Sequence, residues 1–437
     1  MRAALVCGFA LHIASLLARE ESGQSVLGDH DDIDRSGSGG RSGDFRGVTE
    51  ARPTAVVPEE AATAAGPERP PAPPSAPASA LAVPVPVFLS LERYARMVDV
   101  TYCVGMTGSG ISQPFSCASR CADFPELRLV ATWNTGVLMR DSCGYIAVDD
   151  SAREIIVAFR GTYSIANTVA DLSTIPQKYV PYEPGEGEDE DADVARRAKC
   201  TNCTVHMGFL GSWESARSLI LPIVAEARRQ SMNSSSPLAA PAAPYRVHLI
   251  GHSLGGAVAA LAALEMKAVL GWEDVQVTTF GEPRVGNLGF AKFLEGVFNL
   301  RSNTATKEPK EPTVADAYRR VTHKNDPVPL LPLSDWGYRS HAGEIFIAKV
   351  SLSPTPEDVI QCRGRSDPAC SDVDGEHDGS GEETSPSTRK GIIPPNLKLW
   401  ELFFAHRDYF WRLGLCLPGG DPADWGRERY NYTNDAL

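Results

Sequence analysis

At 437 residues the chain is long enough for one large domain or two modest ones, and 43% hydrophobic residues allow a sizeable buried core. With 22% charged and 8% aromatic residues, a fibre or a wholly disordered chain is excluded. The 42 basic and 55 acidic residues give a net charge of -13, which opposes attraction to nucleic acid phosphates, so no nucleic acid partner is expected.

In chain order, Met1 and Arg2 precede an apolar run from Ala3 to Ala18, which is followed by Arg19, Glu20 and Glu21. This layout predicts a signal peptide over residues 1–18 and a secreted product, since the run is too short for a comfortable membrane span. No later segment is apolar enough for a stable membrane span. Residues 19–86 are rich in Gly, Ser, Pro and Ala and nearly devoid of aromatics, so they are expected to form a pro-segment or spacer without a core.

The folded domain is expected over residues 87–420, opening with a helical pattern through Leu89, Leu91, Tyr94 and Val98. Residues 421–437 are read as a tail. Strand-like runs follow at Tyr145–Val148 and Glu154–Phe159, then a helix over Phe209–Arg229 and a strand over Tyr245–Ile250. An alanine-rich helix over Leu254–Leu270 comes next, and further strands are predicted at Val275–Phe280, Tyr318–Thr322 and Glu344–Val350. Strands alternating with helices predict an α/β fold, a mainly parallel sheet covered on both faces. Acidic inserts near residues 183–193 and 370–390 are read as solvated loops.

In a secreted chain the cysteine spacing suits local bridges, pairing Cys117 with Cys121, Cys200 with Cys203, and Cys362 with Cys370. Cys103 and Cys416 could then join the domain end to end, leaving Cys143 as a buried thiol. A zinc site would need a second Cys/His pair of matching spacing after Cys200-Thr-Asn-Cys203, and none follows, so no metal and no cofactor is expected. Sequons at Asn202, Asn233 and Asn431 are compatible with glycosylation.

The segment His248-Leu-Ile-Gly-His-Ser-Leu-Gly-Gly256 carries the chemistry. It is G-x-S-x-G between a strand and an alanine-rich helix, where a sharp turn lifts the Ser253 hydroxyl above the sheet and small residues let strand and helix approach. A serine at its free pKa is a poor nucleophile, so a base must take its proton and an acid must hold the base's tautomer. Asp326, in Asn325-Asp-Pro-Val-Pro329, is the expected acid, with Glu282 as the alternative. His406 in Leu402-Phe-Phe-Ala-His406 is the expected base, with His341 as the alternative, whereas His252 would support the turn. Oxyanion donors are expected from Leu254, next after the nucleophile, and from Thr162 in Phe159-Arg-Gly-Thr162.

These motifs, with Phe280-Gly-Glu-Pro-Arg-Val-Gly-Asn287 and the Cys200/Cys203 pair before His206-Met-Gly-Phe209, resemble the fungal class 3 lipases, a family that includes feruloyl esterases. The resemblance covers roughly Val87 to Pro418. It implies an α/β-hydrolase fold and ester hydrolysis through an acyl-serine, most of all triacylglycerol at an oil-water interface, without metal or cofactor. It also implies a short helical lid over Ser164–Leu172, where Ile165, Val169 and Leu172 fall on one helical face. Thr168 stands where many family lids carry Trp, so modest interfacial activation is expected.

Overall fold

The computed structural model describes residues 81–105, 110–136, 141–162, 176–180, 200–232, 243–300, 312–365, 367, 369–371 and 404–426. The expected signal peptide, the spacer to residue 80, most of both acidic inserts, and the lid residues Ile165, Val169 and Leu172 lie outside them.

Strands form, in chain order, as β1 (Leu81–Ala82), β2 (Leu127–Asn134), β3 (Cys143–Asp149), β4 (Glu154–Phe159), β5 (Pro176–Lys178), β6 (Thr204–His206), β7 (Arg246–His252), β8 (Val275–Phe280), β9 (Gly286–Asn287), β10 (Tyr318–His323), β11 (Tyr338–Arg339), β12 (Glu344–Ile347) and β13 (Val359–Gln361). A nine-stranded sheet has the order β1-β13-β12-β10-β8-β7-β4-β3-β2. Its centre, β4, β7, β8, β10 and β12, is parallel, and its two edges are antiparallel. The central strands β4, β7, β8 and β10 are buried along almost their whole length, because parallel strands have both faces covered.

Four helices are used below: α1 (Val85–Val100), α2 (Met207–Met232), α3 (Leu254–Leu264) and α4 (Leu288–Val297). The pleat sends Ile155, Val157 and Phe159 to a core shared with α2, α3 and α4. It sends Ile156 and Ala158 to a second core shared with α1 and with Tyr409 and Phe410. This is the expected α/β architecture.

Several boundaries differ from the sequence reading. The folded unit begins before Val87: β1 pairs with β13, the Val83 N–H donates to the Val359 carbonyl at 2.9 Å, and α1 starts at Val85 with Pro86 in its first turn. It also runs past residue 420, because Asp421 and Asp424 pair with Arg407 and Arg120 at 2.7 and 3.2 Å. The helix expected to reach Leu270 is α-helical only to Leu264, after which Glu265–Val269 form a π turn. There Glu265 turns in to accept from Trp213 Nε1 at 2.7 Å. Strand β2 escaped the sequence reading because a bulge between Leu129 and Ala131 breaks its alternation. Helix α4 was missed as well, although Asn287 caps it by accepting from the Phe290 N–H at 3.0 Å.

Disulfides join Cys103–Cys416, Cys117–Cys121, Cys200–Cys203 and Cys362–Cys370, and Cys143 is a buried free thiol. The first spans 313 residues and ties the end of α1 to the segment that follows His406. Replacing Cys103 and Cys416 together by alanine should lower the unfolding free energy by about 4 kcal/mol, read from urea unfolding as the product of midpoint and slope. An unchanged unfolding free energy would show that the bridge adds nothing to stability. Among the described residues, no helix is long and apolar enough to cross a membrane.

Candidate active site

Strand β7 ends at His252 and α3 begins at Leu254, so Ser253 alone makes the turn, with φ 57° and ψ -130°. A non-glycine residue in this region costs about 1–3 kcal/mol and persists only where its surroundings hold it. Here the Ser253 N–H donates to the Phe280 carbonyl and the Ser253 carbonyl accepts from the Gly256 N–H, both at 2.9 Å. A Cβ on Gly251 would lie 2.2 Å from the Gly255 carbonyl oxygen, so strand and helix pass too closely for a side chain. Ser253 is 1% exposed, and its Oγ has no hydrogen-bond partner among the described residues.

Asp326 follows β10 in the loop at the carboxyl edge of the sheet. Its oxygens lie 3.0 and 2.9 Å from His406 Nδ1. The Val328 N–H donates to Oδ1 at 2.9 Å and the Tyr409 hydroxyl donates to Oδ2. Burial alone would push this carboxyl up, but the His406 imidazole and these donors outweigh it and hold the pKa below the ordinary value. The ionised carboxylate therefore accepts from Nδ1–H, which leaves Nε2 of His406 as the basic nitrogen. That Nε2 is buried and, like Ser253 Oγ, has no hydrogen-bond partner among the described residues. The His406 ring is closely packed: a Cβ on Gly281 (φ +60°) would come within 2.9 Å of its Cε1, and the His252 ring lies beside it with centroids 4.6 Å apart.

Leu254 opens α3, where the backbone N–H has no acceptor within the helix and the helix dipole favours negative charge. Gly161 follows β4, and a Cβ there would lie 2.9 Å from that of Ser253 and 2.8 Å from the His252 carbonyl. The loop carrying the half-buried Thr162 therefore runs directly beside the elbow.

The two alternative candidates pair with each other instead. His341 Nε2 is 2.9 Å from Glu282 Oε1 and its Nδ1 donates to the Ala342 carbonyl at 2.7 Å. The second oxygen of Glu282 accepts from Thr279 Oγ1 at 2.6 Å and Tyr318 OH at 2.8 Å. Both nitrogens of His341 are engaged, so it has none to offer a serine. His377 lies outside the described residues.

Two tyrosines escaped the sequence reading. Tyr409 orients Asp326, and Tyr102 OH lies 2.6 Å from His252 Nδ1. Their signals were only adjacency, Tyr409 to His406 and Tyr102 to Cys103, and nothing in a sequence distinguishes such a tyrosine from an ordinary core residue.

A serine on a strand-to-helix elbow, with a carboxylate-bound histidine at the same edge of a mainly parallel sheet, defines an α/β-hydrolase. The sequence profile of the family described as Lipase (class 3) matches residues 156–336. A protein named secreted mono- and diacylglycerol lipase 2, from Gibberella zeae, is 50% identical over 82% of this chain and 88% of its own. Lipase A of Sodiomyces alcalophilus is 50% identical over 80% of this chain and 88% of its own. The crystal structure of the Lip2 lipase from Yarrowia lipolytica matches with a TM-score of 0.60 at 27% identity, covering 78% of this chain and 98% of that one. This chain belongs to the class 3 lipase family, and is a secreted carboxylic ester hydrolase.

Proposed function

We propose that the protein hydrolyses the ester bonds of acylglycerols through an acyl-enzyme on Ser253, with His406 as general base and Asp326 holding its tautomer. The observation that carries this reading is the Asp326–His406 pair, whose free Nε2 belongs to a ring packed against the residue preceding a strained, unpartnered serine. His406 Nε2 takes the Ser253 proton as Oγ attacks the ester carbon, and returns it to the leaving alcohol. Water then attacks the acyl carbon as the same nitrogen takes its proton, and the bond to Oγ breaks, with Ser253 recovering that proton as the fatty acid leaves. The backbone N–H groups of Leu254 and Thr162 are proposed to donate to the oxyanion that forms in both halves.

Both triglyceride and partial glycerides are proposed substrates. A relative at 50% identity is named for mono- and diacylglycerol, and partial glycerides are therefore expected to turn over at least as fast as triglyceride. Initial rates on emulsified long-chain triglyceride, diacylglycerol, phospholipid and methyl ferulate test this. Faster turnover of phospholipid or of methyl ferulate would overturn the glyceride reading while leaving the triad intact.

The segment Ser164–Leu172 is proposed as a lid, on the helical spacing of Ile165, Val169 and Leu172. If those side chains cover the site in water, exposing them on opening costs on the order of a few kcal/mol at roughly 25 cal/mol per Å², a cost that an oil surface removes. Val169→Asp is expected to depress activity on emulsions far more than on a monomeric short-chain ester. Equal losses on both, with a smooth rate curve through the solubility limit, would remove the lid.

A further inference from the structure

We propose that His252 is a positioning residue for the catalytic base. It holds His406 by a hydrogen bond to its main-chain carbonyl and by ring packing, and Tyr102 fixes its own orientation. The inference rests on the reading of His406 as base and extends it to residues that touch neither substrate nor the transferred proton.

The chemistry of the partners settles the orientation of the ring. His252 Nε2 lies 2.8 Å from the His406 carbonyl oxygen, which can only accept, so Nε2 carries the proton. Nδ1 is then the acceptor and takes the Tyr102 hydroxyl proton at 2.6 Å. Each nitrogen has one partner of matching polarity, so only one tautomer satisfies both. The His252 ring meets that of His406 at 4.6 Å between centroids and 31° between planes, and Gly281 leaves no room for a Cβ against the same imidazole. A base held by Asp326 at Nδ1 alone could still swing about that bond. The carbonyl contact and the packing of His252 and Gly281 on the ring restrict that swing.

The anchor is itself anchored. Tyr102 adjoins Cys103, whose bridge to Cys416 returns to the segment bearing His406, so both ends of the Tyr102–His252–His406 chain are tied together. His252 is also the residue before Ser253, so a single side chain connects the nucleophile's turn to the backbone of the base. Its electrostatics suit the role. Burial, followed by the neighbouring His406, pushes the His252 pKa down to about 3. It stays neutral when His406 becomes an imidazolium, and no second cation opposes that charge across the stack.

The test compares His252→Leu, His252→Gln and Tyr102→Phe in the full chain, using a soluble short-chain ester and an active-site phosphonate. His252→Leu is expected to lower kcat roughly 10–100-fold with KM within about twofold, the scale of a misplaced catalytic group. Phosphonate labelling of Ser253 should slow by the same factor. Gln can present its amide N–H near the position of Nε2, so His252→Gln should recover most of the loss. Tyr102→Phe removes only the hydroxyl and should cost a few-fold in kcat at unchanged KM. A folded His252→Leu with wild-type kcat, or Leu and Gln variants equally slow, would overturn the proposal. If His252→Leu fails to fold, Tyr102→Phe decides, and an unchanged kcat there overturns it. Failure of the underlying triad reading has a different signature: His406→Ala would remain active, or the phosphonate would attach to another serine.

Discussion

Ser253→Ala is expected to leave a folded protein whose ester hydrolysis falls by about 10⁴–10⁶-fold, because oxyanion donors and substrate binding retain only residual catalysis once the nucleophile is gone. The separation between activity and stability should be wide. The Ser253 hydroxyl has no hydrogen-bond partner among the described residues, so removing it breaks no bond to them. Alanine inherits the same φ of 57°, so the strain of the turn stays as it was. The urea midpoint should therefore move by less than the equivalent of about 1 kcal/mol. An active-site phosphonate should label the parent chain at Ser253 and leave the variant unmodified. Labelling of a different serine in the parent chain would mean that the elbow is only structural.

The sequence made the elbow legible because its constraints are local. A strand, a G-x-S-x-G turn and a small-residue helix are consecutive, and the close approach at Gly251 and Gly255 leaves few other residues possible. The acid and base were harder, since Asp326 and His406 are 80 residues apart and meet only in the fold. Chain order and local context left Asp326 or Glu282 as the acid and, of the three histidines after Asp326, His406 or His341 ahead of His377 in the acidic tract as the base; in the fold Glu282 pairs with His341 and Asp326 with His406. The parallel centre was visible as short strand-like runs, β-branched in part and bounded by turn residues, alternating with helical patterns. Edge strand β2 was not, since a half-exposed strand with a bulge has no clean period, and three-residue β13 is too short to have one. Tyr102 and Tyr409 could not have been found from the sequence, because their roles depend on hydrogen bonds that cross 150 and 83 residues of chain.

The second large effect separates the two buried histidines, which are alike in exposure and differ only in what their nitrogens do. His406→Ala removes the proposed base for Ser253 and should lower kcat about as far as loss of the serine, since the members of a triad act as one unit and their losses do not add. Its cost in stability is the cavity and an Asp326 carboxylate left with Tyr409 and the Val328 N–H. Ionised Asp326 owes its lowered pKa largely to His406, so in this variant that pKa should rise towards or above the ordinary value. The stability that comes from its depressed pKa is present above the unfolded-state pKa and lost as pH falls through the folded one, so His406→Ala should lose less stability on acidification than the parent. His341→Ala should behave in the opposite way. It strips a partner from buried Glu282 and should destabilise by about 1–3 kcal/mol, yet the folded fraction should keep turnover within a few-fold of the parent. The measurement is kcat per mole of folded protein, with urea midpoints at neutral and acidic pH for both variants. Full activity in folded His406→Ala alongside a dead but folded His341→Ala would move the base to the Glu282 pair.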